Sequence, residues 1–326
     1  MSIEKNNEIT LSIVIPTLNR SDNLTNALNA ILRQSLPPKE IIVVDQSDNS
    51  DTKTLVDRST RIFLEKTISL KYMWESTKSI THARNVGARA ALGDTVLFMD
   101  DDMIPHKHYV REILKVFKNK SSAVGVQGYL FPPPTWTGFS TKANFMNIFC
   151  RTFFLTHLEK NKQKILLSGD ITVAYPLNKT IEATIIFPSL SAFKREVLLQ
   201  IPLDEKLLGY SWQEEYFTLK LSQLYHNCLF VTPFATIFHD AAHHGRPIGK
   251  RLYYITASYE LYNFVSSLRP SFKNWIAFFW KWIGRIILSL FTSRSKNYRA
   301  GLIYTFGSCF WVHRHFDEVR NARFNL

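Results

Sequence analysis

The chain has 326 residues, 45% hydrophobic and 21% charged, a balance that belongs to a folding chain and excludes a disordered or low-complexity one. Three cysteines, Cys150, Cys228 and Cys309, lie far apart with no CxxC pair, which excludes a disulfide framework or zinc ribbon and fits a reducing compartment. The formal net charge of +13 sits mostly in the tail, where thirteen Lys and Arg from Gly245 onward face only Glu260, Asp317 and Glu318, a balance suited to nucleic acid or an anionic membrane surface.

In chain order, the opening MSIEKNNEITLSIVIPT lacks the basic-then-apolar layout of a secretory signal, so cytoplasmic residence is the expectation. LSIVIPT reads as a buried strand. A helix follows, capped by Ser21 or Asp22, with Leu24, Ala27, Leu28, Ile31 and Leu32 as its apolar stripe. EIIVVDQS is a second strand entered through Pro37 and Pro38. Beyond another helix come ISLKYMW, the helical THARNVGARAAL and the strand TVLFMD. Strand–helix repetition with continuous Val/Ile runs predicts a mostly parallel sheet covered on both faces. Residues 129–141 form a loop, since three consecutive prolines forbid helix. ATIIFPSLSAFKREVL predicts a strand and a helix starting near Lys194. Residues 211–227 read as a helix with Glu214 and Glu215 in its first turn, and CLFVTPFATIFHD as an extended run ending at His239.

In such a sheet, ligands bind beyond the carboxyl ends of the strands. Here those ends carry Pro16 and Thr17, then Asp45, then Asp100, Asp101 and Asp102. No GxGxxG or GxxxxGK[ST] follows any strand, which excludes the usual dinucleotide and phosphate loops. Three adjacent carboxylates against an apolar strand need either solvent at a loop tip or a cation such as Mn²⁺ or Mg²⁺, whose remaining positions phosphate and water would fill. Taken singly, Asp45 is as readily a turn residue, Arg84 a helix-face cation, and Glu214 and Glu215 acids favoured by a helix dipole. His239, with His243 and His244 close behind, is a polar-site candidate.

Together and in this order the motifs resemble family 2 glycosyltransferases, sugar-nucleotide-dependent enzymes of the GT-A fold. SIVIPTLNR resembles the opening strand of that family, IIVVDQSDNSDT the second strand, ARNVGARAALGDTVLFMDDDMIP the helix and DXD strand, and WQEEYFTLKL the helix of the catalytic base. The resemblance covers roughly residues 10–245. It implies a nucleobase pocket at Pro16, Thr17 and Asp45 with Arg84 beside it. Asp100 would serve as ribose and metal-supporting group, Asp101 would stand beside it on the donor, Asp102 would be the direct metal ligand, and His239 a further ligand. Glu214 would be the base, although Gln213-Glu214-Glu215 replaces the family's usual Glu-Asp and leaves Glu215 open. The activity implied is inverting transfer from a UDP-, dTDP- or GDP-sugar, with Mn²⁺ or Mg²⁺, to a hydroxyl of a glycan or lipid-linked acceptor in cell-surface polysaccharide synthesis. A nucleotidyltransferase is the alternative, although the first loop lacks the glycines it would need. A catalytically degenerate sugar-nucleotide-binding protein is another.

The expected organisation is a GT-A catalytic domain over 1–245, with a nucleotide half at 10–105 and an acceptor half at 106–245. A basic, aromatic helical region at 246–326 follows. Within residues 274–291, Lys281, Arg285 and Ser289 step by four along an otherwise apolar helix. Two cations near the middle argue against a membrane span. One reading lays the helix in a membrane interface, aromatics down and cations up, with residues 301–313 as a second such element. The other packs it on the catalytic domain as core. Aromatics beside cations, without any nucleic-acid-binding motif, favour the inner face of the cell membrane over nucleic acid.

Overall fold

A computed structural model describes residues 8–131, 141–206, 215–240, 250–292 and 296–321. Glu214, His243 and His244 lie outside these residues, as does most of the proline loop.

The first half is built from alternating strands and helices: β1 (Leu11–Thr17), α1 (Ser21–Ile31), β2 (Glu40–Asp45), α2 (Asp51–Glu65), β3 (Ser69–Trp74), α3 (Ile80–Ala90) and β4 (Thr95–Met99). The four strands are mutually parallel in the order β3-β2-β1-β4. The unbroken apolar runs of β1, β2 and β4 follow from burial on both faces, whereas β3, at the sheet edge, is SLKYMW and only partly buried. Ile13 and Ile15 of β1 enter one core layer and Val14 the other, and Ile41, Val43 and Leu97 alternate in the same way with Ile42, Val44 and Phe98. Helix α1 starts at Ser21 with Arg20 as its N-cap residue. No side chain closes the cap, so neither Ser21 nor Asp22 has the capping role expected of it.

The second half continues with β5 (Met103–Pro105), α4 (Tyr109–Asn119), β6 (Gly125–Leu130), α5 (Thr141–Thr152), β7 (His157–Glu159), β8 (Thr172–Ala174), β9 (Ile181–Ala183), β10 (Leu190–Lys194), α6 (Arg195–Gln200), α7 (Glu215–Leu224) and β11 (Leu229–His239). β10 inserts antiparallel between β4 and β6, β11 runs parallel to β6, and β5 and β9 pair antiparallel with β11. The parallel half is thereby extended into one large mixed sheet, and β7 and β8 form a separate pair.

Helices α8 (Lys250–Ser266), α9 (Phe272–Thr292), α10 (Lys296–Arg314) and α11 (Phe316–Arg320) close the chain. They share a core of Ala257, Leu261, Phe264, Phe278, Trp282, Val312 and Val319. Among the described residues, no helix is long and apolar enough to cross a membrane. The cation stripe of α9 points inward, so its cations do not lie above an interface as expected. Lys281 is buried with its ammonium 3.1 Å from Asp170, and Arg285 donates to Glu260 at 2.6 Å. The cations of α9 lie on the core side together with Phe278 and Trp282, while Phe272, Ile276, Phe279, Trp280 and Ile283 are exposed.

Candidate active site

Strand register brings the predicted residues together. Thr17 of β1 lies level with Asp45 of β2 and Trp74 of β3, and Val14 pairs with Phe98, so β4 ends beside Pro16 and Thr17. The chain then turns sharply: the Met103 amide donates to the Asp100 carbonyl at 3.1 Å, which puts Asp101 and Asp102 at the centre of the turn. β5 leaves antiparallel to the end of β11, pairing Met103 with His239, and the Asp240 amide donates to the Asp102 carbonyl at 2.9 Å. Residues 137 positions apart in sequence become neighbours here: Asp102 and His239 meet with 3.3 Å between Oδ1 and Nε2.

The three carboxylates have three different environments. Asp101 is buried, accepts the Thr17 hydroxyl at 2.8 Å, and lies 3.3 Å from Arg20. Burial pushes its carboxyl up to about 7. The Thr17 hydrogen bond and the Arg20 guanidinium act against that rise, and Asp102 and Asp100 act with it. Asp102 is buried too, with His239 on one oxygen and Arg20 3.9 Å from the other. Asp100 is more open and takes a 2.7 Å hydrogen bond from Arg84, a fully buried residue of α3 whose guanidinium lies over the Phe98 ring. Helix α3 comes close enough to β1 for this contact because Gly87 has no Cβ; one added there would collide with Val14.

Pro16, Thr17, Arg20, Gln46 and the three aspartates border an open cleft of about 850 Å³, counting the space that continues into solvent. Lys78, Ser79 and Ile80, where α3 begins, line it as well. The lining therefore combines three carboxylates with a lysine and a helix N-terminus, which favours anions. Asp45 is buried and does not border the cleft. It accepts the Ser47 amide at 3.0 Å and the Tyr72 hydroxyl at 2.9 Å, and burial followed by that bond raises the Tyr72 phenol to about 12. Gln46 borders the cleft in its place, donating to the Thr77 and Ser79 carbonyls that lead into α3.

Of the predicted set, Pro16, Thr17, Asp100, Asp101, Asp102 and His239 converge, and Arg84 and Asp45 buttress them. Glu215 opens α7, while Glu214 lies outside the described residues. Sequence reasoning missed Arg20 and Lys78. The signal for Arg20 was its place directly after the first strand in IPTLNR; Lys78 carried none, being also paired at 2.6 Å with exposed Asp48. Among the described residues no three His, Cys, Asp or Glu side chains form a metal cage. Asp102 with His239 is instead a two-donor set beside an anion-favouring wall, which suits an oxygen-preferring divalent ion whose other ligands come from phosphate and water.

The family model for Glycosyl transferase family 2 matches residues 12–202. The chain belongs to that family. Similar curated proteins include a validoxylamine A glucosyltransferase of Streptomyces hygroscopicus subsp. limoneus, 33% identical over 121 residues, covering 36% of this chain and 26% of that protein. A putative teichuronic acid biosynthesis glycosyltransferase of Bacillus subtilis is 27% identical over 119 residues, covering 36% and 46%. An uncharacterized glycosyltransferase of Nostoc is 28% identical over 120 residues, covering 37% and 36%. The chain thus spans less than half the length of these relatives. Among solved structures, a Pyrobaculum calidifontis mannosyltransferase in complex with GDP-Man and Mn²⁺ superposes with a TM-score of 0.57 at 14% identity, covering 98% of this chain and 85% of that one. Residues 1–349 of S. aureus TarS in complex with UDP superpose with 0.53 at 16%, covering 97% and 80%. The family 2 chain has the GT-A fold these proteins share.

Proposed function

We propose that this family 2 chain is an inverting, metal-dependent glycosyltransferase that uses a nucleotide-diphosphate sugar and works at a membrane surface carrying its glycan or lipid-linked acceptor. One observation carries the reading: Asp102, which borders a cleft also lined by Lys78 and the start of α3, meets His239 at 3.3 Å. Solved relatives by fold bind UDP, or GDP-Man with Mn²⁺, which supports the donor class without choosing the base.

In this reading Pro16, Thr17 and Gln46 receive the nucleoside, with Asp45 stiffening the strand end behind them. Lys78 and the α3 N-terminus attract the diphosphate, and Arg20 and Arg84 orient the three aspartates. Asp102 and His239 would hold Mn²⁺ or Mg²⁺, which when bound supplies positive charge to a departing diphosphate. Glu214, or Glu215 at the start of α7, accepts the acceptor hydroxyl proton. The acceptor oxygen then bonds to the anomeric carbon as that carbon's bond to the diphosphate oxygen breaks and the electron pair leaves with the nucleotide. Attack opposite the leaving group inverts the anomeric centre.

Calorimetric titration with UDP, GDP and dTDP, each with Mn²⁺ and with EDTA, tests this reading. Metal-dependent binding of one nucleotide, weakened at least about tenfold in Asp102→Asn, is the expected result. If none of the three binds in either condition, the reading falls.

A further inference from the structure

Helix α9 buries cations among its core aromatics and leaves an apolar ridge exposed. Its inner side carries Lys281 and Arg285 against Asp170 and Glu260. Its outer ridge is Phe272, Ile276 and Ile283, with Ile276 55% and Ile283 45% exposed. The neighbouring helices flank this ridge. On one side Trp280 stacks on Phe153 and donates its indole N–H to the Thr152 carbonyl at the end of α5; on the other, Phe279 stacks on His313 of α10. Both flanking helices also turn apolar residues outward. α10 buries Thr305, Ser308 and Val312 and exposes Ile303, Phe306 and Phe310; α5 exposes Phe145 and Ile148. Three adjacent helices therefore present one apolar surface, larger than scattered surface hydrophobics would give.

The charges say what covers it. The sequences of α5, α9 and α10 contain no Asp or Glu. Their cations apart from Lys281 and Arg285 include exposed Arg151, Lys273 and Arg314, one on each helix. A second copy of the chain, meeting the same surface about a two-fold axis, would bring cations against cations. An anionic lipid surface meets both requirements, taking the Phe, Trp and Ile side chains below the headgroups and the Lys and Arg at them.

We infer that the acid-free apolar face formed by α5, α9 and α10 docks on an anionic lipid surface, a more specific statement that rests on the membrane part of the function proposed above. The face binds in the plane of the interface, without crossing it. The Lys281 and Arg285 stripe takes no part, because Lys281 is buried and Arg285 half-buried, both paired with Asp170 and Glu260.

Flotation of the full chain with vesicles tests the inference. Vesicles of phosphatidylcholine alone are compared with vesicles that also contain phosphatidylglycerol, at low and high salt. The expected result is flotation with the anionic vesicles, weakened by salt, and at least about tenfold less partitioning for Ile276→Glu and for Ile283→Glu, each of which removes one inserted aliphatic side chain. Both positions are exposed, and unchanged UDP, GDP and dTDP titrations would show that the variants remain folded. Equal flotation of wild type and both variants overturns the assignment, as does absence of wild-type flotation. Sedimentation equilibrium showing a dimer that Ile283→Glu dissociates would give the face to a second copy instead. The two readings fail separately: loss of nucleotide binding with intact flotation removes only the enzyme, and the converse removes only the docking face.

Discussion

Lys281 of α9, 1% exposed, sets its ammonium 3.1 Å from a carboxylate oxygen of Asp170, a residue 111 positions away. Glu260 stands 3.7 Å from the same ammonium, and Arg285 reaches both acids, at 2.6 Å from Glu260 and 3.4 Å from Asp170. Burial alone would raise the Asp170 carboxyl; Lys281 and Arg285 outweigh it and hold the group below its ordinary value. Two acids and two bases thus neutralise one another inside the contact between the C-terminal helices and the segment joining β7 to β8. Lys281→Met leaves two buried carboxylates to one guanidinium, and such a change costs about 3–5 kcal/mol. Chemical denaturation followed by circular dichroism should register that loss, whereas exposed Lys273→Met should stay within about 0.5 kcal/mol of wild type.

The same network reaches toward the acidic helix start. Gly169, next to Asp170, adopts φ +84, a conformation that L side chains rarely adopt, and its carbonyl accepts the Tyr216 hydroxyl at 2.9 Å. Tyr216 follows Glu215 directly in the first turn of α7. Tyr216→Phe keeps the ring and removes this tether. Turnover should fall about 10- to 100-fold through misplacement of the acid pair, with nucleotide affinity unchanged. Equal losses in both measurements would show that Tyr216 serves the nucleotide site and not α7.

These contacts mark where sequence reasoning succeeded and where it stopped. The parallel half was legible because β1, β2 and β4 write their burial into continuous apolar runs, and their carboxyl ends name the cleft. Asp102 and His239 became partners only through β5 pairing with β11, a long-range register that periodicity does not encode. The α9 stripe was visible as a contrast, but a moment has no sign for inside. Only the acids Asp170 and Glu260, remote in sequence, turn the cations inward. Arg20 went unread because only the turn of Asp100–Asp102, 81 residues away at Asp101, brings carboxylates within 3.3 Å and 3.9 Å of it.

Arg84 offers a charge test of the cleft. Its guanidinium holds Asp100 at 2.7 Å from within the protein. Arg84→Met leaves the acidic wall one positive charge poorer without altering any group that borders the cleft. Nucleotide affinity measured in EDTA should fall about tenfold, since one uncompensated charge near a diphosphate is worth roughly 1–2 kcal/mol at a partly screened site. The loss should shrink when Mn²⁺ is present, and titration calorimetry in both buffers compares them.

Glu40 supplies the acid limit of stability. It is buried at the start of β2, with its carboxylate accepting Lys71 at 2.6 Å, Ser12 at 2.7 Å and the Leu92 amide at 2.6 Å. Burial raises its carboxyl, but the bonds from Lys71, Ser12 and Leu92 prevail, so it titrates below its ordinary value. A carboxyl lowered on folding stabilises the protein fully above its unfolded value, about 4.3. That stabilisation is lost as pH falls through the lower folded value. Glu40→Gln should cost about 1–3 kcal/mol at neutral pH, because the Lys71 charge loses its acceptor and the Ser12 and Leu92 donors keep only a neutral one. The variant's unfolding free energy should also change less than that of wild type between pH 5 and pH 3. Parallel decline of both proteins through that interval would mean that other carboxylates set the acid limit.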